Sequence, residues 1–209
     1  TIFDFMQETN DFYFPPLTGT YIRFVRHIVF WATLFLVPVW FYLTQNPSVT
    51  PEWLTFVLPE TTGKIPIFMQ LLLVEFMIDG LRMASMNTPD MLSNSLSVVG
   101  ALLLGDFAVG VGWLCPDVIL YMAFVAIANF AQQNVELGYA FKFMRMLTLG
   151  LVYLLGVPGF VLGMLIFVLA IATNNTVFGR RYYLFPMRPC SPRKMKSILF
   201  RLKKDDFEA

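Results

Sequence analysis

Long stretches without charge alternate with short polar punctuation along this chain. Ile28–Leu43, Val98–Leu104, Val118–Phe130 and Leu147–Ala172 contain no Asp, Glu, Lys or Arg. The first and last of these approach or exceed the ~20 residues that cross a bilayer as a helix. The pattern predicts a first spanning helix over Tyr21–Thr44, loosened at Pro38 in a way packed membrane helices tolerate. Before it, Thr1–Thr20 reads as an entry segment whose Phe12, Tyr13 and Phe14 suit the headgroup level. After it, Gln45–Gly63 reads as an external loop. A short helix is expected to begin there at Thr50-Pro51-Glu52, with Thr as cap and Pro at the first helical position.

Ile65–Met86 breaks the apolar pattern. It is built from good helix formers, yet it carries Glu75, Asp79 and Arg82, whose spacing of four and three puts them on one helical face. Each would cost roughly 2.5–3.5 kcal/mol at a bilayer centre. That face must therefore meet protein, water or the interface. Thr88-Pro89-Asp90 restarts a helix bearing small residues at Ser93, Ser97, Ala101 and Gly105, a stripe that lets helices approach closely. Asp106 and an interfacial Trp113 follow, and Cys115-Pro116-Asp117 makes a tight turn from which Val118–Phe130 runs back. Ala131–Glu136 is polar, Lys142 and Arg145 mark a cytoplasmic side, and Met146–Thr173 is a long apolar stretch interrupted by Gly156-Val157-Pro158-Gly159.

Composition turns this pattern into a class. Of 209 residues, 57% are hydrophobic, 14% are charged and 22 are Phe, against about 25% charged in ordinary globular domains. The expectation is an all-α, polytopic helical membrane protein with about four to five membrane segments, some re-entrant or interfacial. The net charge of +1 conceals a basic tail, Arg180 to Lys204, which the positive-inside rule makes cytoplasmic. Arg23 and Arg26 place the N-terminal flank on the same side, whereas Gln45–Gly63 fits the opposite one. This divides the chain into an entry segment (1–20), a helical domain (21–178) and a basic tail (179–209), with a soluble domain expected to precede residue 1. Both flanks on one face require an even number of crossings, and counting each apolar segment once gives five. Either Ile65–Met86 lies partly in the interface or Met146–Thr173 doubles back at Gly156–Gly159. The charges favour the first.

Enzyme signatures are missing from the sequence. His27 is the only histidine, which leaves no His-based triad, HExxH motif or multi-histidine metal site. Gly105, Gly110 and Gly112 lack the Lys-Ser/Thr of a P-loop. Cys115 and Cys190 have no metal spacing, and a disulfide between them would join opposite faces. No enzyme activity, cofactor or metal is expected, and nothing points to nucleic acid.

The strongest functional signal is the pair Glu75 and Asp79, because ionisable residues inside a membrane usually mark ion or proton paths. Two carboxylates one turn apart favour a bound cation or one raised pKa. The alternative is structural: Asp79 pairs with Arg82 and Glu75 with a neighbouring helix, for assembly alone. Ser93 and Ser97 are weaker candidates for an ion path, while Ala101 and Gly105 belong to helix packing.

Several stretches resemble the membrane region of GerA-type spore germination A subunits: Lys64-Ile65-Pro66, Leu73-Val74-Glu75-Phe76, Ser97-Val98-Val99-Gly100-Ala101-Leu102, Leu104-Gly105, Ala126-Ile127-Ala128-Asn129-Phe130 and Glu136-Leu137. Others look most like the stage V sporulation branch of that family: Tyr13-Phe14-Pro15-Pro16, Thr18-Gly19-Thr20-Tyr21, Pro51-Glu52-Trp53-Leu54, Asp79-Gly80-Leu81-Arg82, Asn87-Thr88-Pro89, Leu120-Tyr121-Met122-Ala123-Phe124 and Glu136-Leu137-Gly138-Tyr139-Ala140. The resemblance runs from about Tyr13 to Pro189. Gly179 to Pro186 departs from it, with Arg180 and Arg181 where the family pattern has none.

The resemblance implies a protein of the endospore inner membrane, assembled as a homo-oligomer, pentameric in the family, that conducts ions during germination. It implies an accessory membrane protein and other germination receptor proteins as partners, and in the stage V branch a role in amplifying the germination response. A non-conducting scaffold and a secondary transporter are the alternatives, although no repeat of the kind transporters carry is visible.

Overall fold

The computed structural model describes residues 15–86, 100, 103–130 and 135–173. Among these the chain is all helical. The principal helices are α1 (Pro16–Gln45), α2 (Ile67–Met86), α3 (Pro116–Phe130), α4 (Val135–Leu155) and α5 (Val157–Thr173). Short 3-10 turns at Pro47–Val49 and Glu52–Val57 join α1 to α2, and a π-helical turn at Leu103–Phe107 leads toward α3.

Local chemistry explains the boundaries. Pro16 at its start gives α1 a first turn that needs no N–H, and the helix runs unbroken through the buried Pro38. The 3-10 turn at Glu52–Val57 is preceded by Pro51 and has no side-chain cap. The expected Thr50 cap does not form, since its residue stands one position too early. α4 ends at Gly156, whose φ of +69° is a left-handed conformation that favours glycine.

Helix directions follow from side-chain partners. Phe30, Thr33 and Phe41 of α1 meet Phe141, Arg145 and Tyr153 of α4 in the same order, so these helices are parallel. α5 runs back along α4: Gly159 lies against Leu151, Gly163 against Thr148 and Phe167 against Phe141. α2 opposes α4, with Phe68 stacked on Tyr153 and Arg82 over Tyr139. The end of the bundle where α1 and α4 finish and α2, α3 and α5 begin is called here the outer end.

The expected interruption of Met146–Thr173 falls at Gly156, between α4, which begins eleven residues earlier at Val135, and α5, which runs back. Ile65–Met86, expected to lie partly in the interface, holds the 20-residue α2, whose Glu75 and Asp79 meet partners on α4.

The main core lies between α1, α2, α3 and α4, with Val37, Trp40, Phe41, Leu71, Val74, Val118, Met122, Val125, Leu149 and Val152 buried together. A second cluster, Phe30, Leu34, Phe141 and Phe167, seals α1, α4 and α5 toward the other end. α1 from Leu17 to Gln45 and α4 from Glu136 to Leu155 are long and apolar enough to cross a membrane. α2 has the length, but three charged residues set it apart.

Candidate functional site

Midway along the bundle, α2 and α4 face each other through charge. Residues four apart on α2 and three apart on α4 lie on single helical faces, so Glu75 and Asp79 look across at Lys142 and Arg145. Arg145 Nη2 donates to Glu75 Oε1 at 2.5 Å, and Lys142 Nζ lies 3.1 Å from the same oxygen. The Lys142 ammonium also pairs with Asp79 Oδ2. Arg145 Nη1 donates to the backbone carbonyl of Thr33 at 3.1 Å. That carbonyl belongs to α1, so the network ties three helices together.

Burial is unequal across the four. The side chains of Glu75, Lys142 and Arg145 are nearly sequestered, whereas that of Asp79 is 28% exposed. Within this network the two cations and two carboxylates balance, and Arg82 on the wall of the adjoining cleft adds a third cation. Asp79 opens onto a cleft walled by Ile78, Arg82, Met122, Ala126 and Asn129. The Oδ1 of Asn129 is buried there without a hydrogen-bond partner among the described residues. The cleft thus joins the Asp79 carboxylate and the Asn129 amide oxygen, both acceptors, to the basic side chains of Arg82, Lys142 and Arg145.

The sequence expectations are met unevenly. Glu75 and Asp79 share one face, as their spacing predicts. Asp79 pairs with Lys142, while Arg82 stands 5.1 Å over the Tyr139 ring as a cation–π contact. Lys142 and Arg145, expected to mark a cytoplasmic edge, are buried inside the bundle. Ser93, Ser97 and Ala101 lie outside the described residues. Gly105 has no atom within 4 Å of where a Cβ would stand, although its neighbour Gly100 lies tightly against Leu81. Cys115 is a buried free thiol, and Cys190 lies outside the described residues. His27 is buried on α1, bonded through Nδ1 to the Arg23 carbonyl at 2.7 Å.

Three features were not anticipated. Lys142 and Arg145 complete the ionic site, and their signal is a basic pair at helical spacing inside an apolar helix. Gly159 and Gly163, four apart on α5, let that helix pack closely on α4 at Leu151 and Thr148. Gln70, fully buried, holds the outer end: its Oε1 accepts from the Cys115 N–H at 2.8 Å, and its Nε2 donates to the Ile65 carbonyl at 2.6 Å.

An apolar helical bundle with an ionic site at mid-height, two of its helices long and apolar enough to cross a membrane, defines a class of membrane-type helical protein. Within that class, the chain belongs to the family of Bacillus/Clostridium GerA spore germination proteins, whose model matches residues 1–208. It is 31% identical over 204 residues to stage V sporulation protein AF of Bacillus subtilis (strain 168), which covers 98% of this chain and 41% of that protein. From the same organism, the uncharacterized membrane protein YfkQ is 26% identical over 96% of this chain and 39% of its own length. Spore germination protein KA is 27% identical over 95% of this chain and 37% of its own. The chain therefore spans about two fifths of the length of these relatives. No solved structure matches it.

Proposed function

We propose that this chain is the membrane-embedded part of a spore germination protein that conducts monovalent cations across the endospore inner membrane as a homo-oligomer. The family and two apolar helices support a membrane location. The observation that carries the conducting role is the pairing of Glu75 and Asp79 with Lys142 inside the bundle. Lys142 places its ammonium where a passing cation would sit, between two carboxylates beside an open cleft. A path that presents Glu75 and Asp79 favours cations over anions, and in this reading the Lys142 ammonium is a tethered cation on that path. In this reading α1 and α4 cross in one direction and α2, α3 and α5 in the other. Other copies, an accessory membrane protein and other germination proteins are the expected partners.

The test is germination of spores carrying Glu75→Gln or Asp79→Asn in the full-length protein. Slower cation release at normal protein level is the expected result. Unchanged release would remove both residues from the path.

One observation favours a second reading. The four charges cancel without a bound ion, which suits a non-conducting scaffold whose ionic site serves only assembly. In that case release would follow protein level alone, whichever member of the site were changed.

A further inference from the structure

The outer end of the bundle carries large aromatic side chains on its loops, where a water-facing surface would not keep them. Trp53 and Phe56 are 75% and 78% exposed. They are three apart in the 3-10 turn Glu52–Val57, which has three residues per turn, so they project from one side. The other side of the turn is anchored, because the indole N–H of the buried Trp40 donates to the Val57 carbonyl at 2.8 Å. A second exposed group, Phe107, Val111 and Trp113, stands on the segment that leads into α3. The two loops are bonded to each other: the Lys64 N–H donates to the Gly112 carbonyl at 2.9 Å, and the Gly63 N–H meets Cys115 Sγ at 2.9 Å. Gln70 pins the same layer from beneath. The rings are therefore held on a braced platform at the level where α1 ends and α2 and α3 begin.

We propose that this platform is a membrane-interface anchor, with Trp53, Phe56, Phe107 and Trp113 seated at the headgroup–acyl boundary of the outer leaflet. Aromatic rings, Trp above all, favour that depth because their apolar body and polar edge meet both phases. A second copy of the chain is a poorer occupant. A stable protein interface needs about 800 Å² of matched surface from each partner, and here the rings are interspersed with exposed Glu52, Thr55, Glu60 and Lys64. The anchor would fix how deeply the bundle sits, and with it the depth of the ionic site half a helix below. The inference rests on the membrane reading above, and the test separates the two.

The four tryptophans, Trp31, Trp40, Trp53 and Trp113, allow a direct measurement. Full-length protein in phospholipid vesicles is compared with its Trp53→Phe, Trp113→Phe and Trp31→Phe variants, so that each difference spectrum isolates one indole. Quenching is read with lipids brominated near the headgroup end of the acyl chain, lipids brominated near the chain end, and aqueous iodide. Trp53 and Trp113 are expected to be quenched about twofold more by the shallow lipid than by the deep one, and little by iodide. Strong iodide quenching without lipid quenching, or protection from all three, would overturn the anchor. Trp31, half-way along α1 and partly exposed, is the control for the membrane reading. If the deep lipid quenches it while Trp53 and Trp113 stay unquenched by lipid, the anchor alone fails. If lipid quenches none of them, the membrane reading fails with it.

Discussion

Glu75 and Asp79 are one helical turn apart, but their surroundings give them different weights. Glu75 is buried and serves two cations, so Glu75→Gln leaves Arg145 and Lys142 short of a counter-charge in a dry setting. Removing one partner of such a pair costs about 3–5 kcal/mol. Asp79 is partly exposed and meets only Lys142 among the described ion pairs, a cation that keeps Glu75 when Asp79 is neutralised. Thermal unfolding in detergent should therefore show Glu75→Gln destabilised more than Asp79→Asn. Equal midpoints would mean that the network does not hold α2 to α4. Gln70 carries a parallel expectation at the outer end. Gln70→Leu strands the Cys115 N–H and the Ile65 carbonyl, at about 1–3 kcal/mol for a buried unsatisfied group, and the same unfolding measurement reads it.

Helix pairing is decided where side chains are smallest. A Cβ added to Gly159 would fall 2.0 Å from the Leu151 carbonyl oxygen, and one on Gly163 would fall 2.7 Å from Thr148 Oγ1. Gly159→Ala and Gly163→Ala should each destabilise the α4–α5 hairpin by about 1–3 kcal/mol, the usual range for overpacking. Gly150, with nothing within 4 Å of its Cβ position, should accept alanine with a gain of up to about 1 kcal/mol. Unfolding midpoints of the three variants check the contrast. Much of the element pattern was legible beforehand. Uncharged runs located α1, α3 and α5, and Gly156-Val157-Pro158-Gly159 announced the reversal. The partners of the charges were not legible. Lys142 and Arg145 looked like surface markers but are buried against Glu75 and Asp79, because periodicity tells which residues share a face but not which helix that face meets. Likewise the Gly159/Gly163 pair, which packs α5 against α4, is too short a pattern to stand out in the sequence.

At the scale of the whole molecule, alternating helix directions put the Gln45–Gly63 loop and the α4–α5 turn at one end of the bundle. Thr62→Cys and Val157→Cys, both at exposed positions, should be labelled from the same side by a membrane-impermeant thiol reagent in oriented vesicles. Labelling from opposite sides would break this arrangement of helix directions. The ionic site then lies at mid-depth, with its own lysine in the acidic cleft. That gives opposite signs to two changes a scaffold would treat alike.

Cation efflux from liposomes containing the full-length protein, together with its accessory partner, tests this most directly. Lys142→Met removes the tethered ammonium and leaves Asp79 facing the cleft, whereas Glu75→Gln removes an acidic lining group. Efflux is expected to rise above wild type in the first and to fall below it in the second. Lys142→Met and Glu75→Gln proteins that are folded and oligomeric yet indistinguishable from empty liposomes, as wild type would then also be, would contradict conduction and leave the ionic site as a device of assembly.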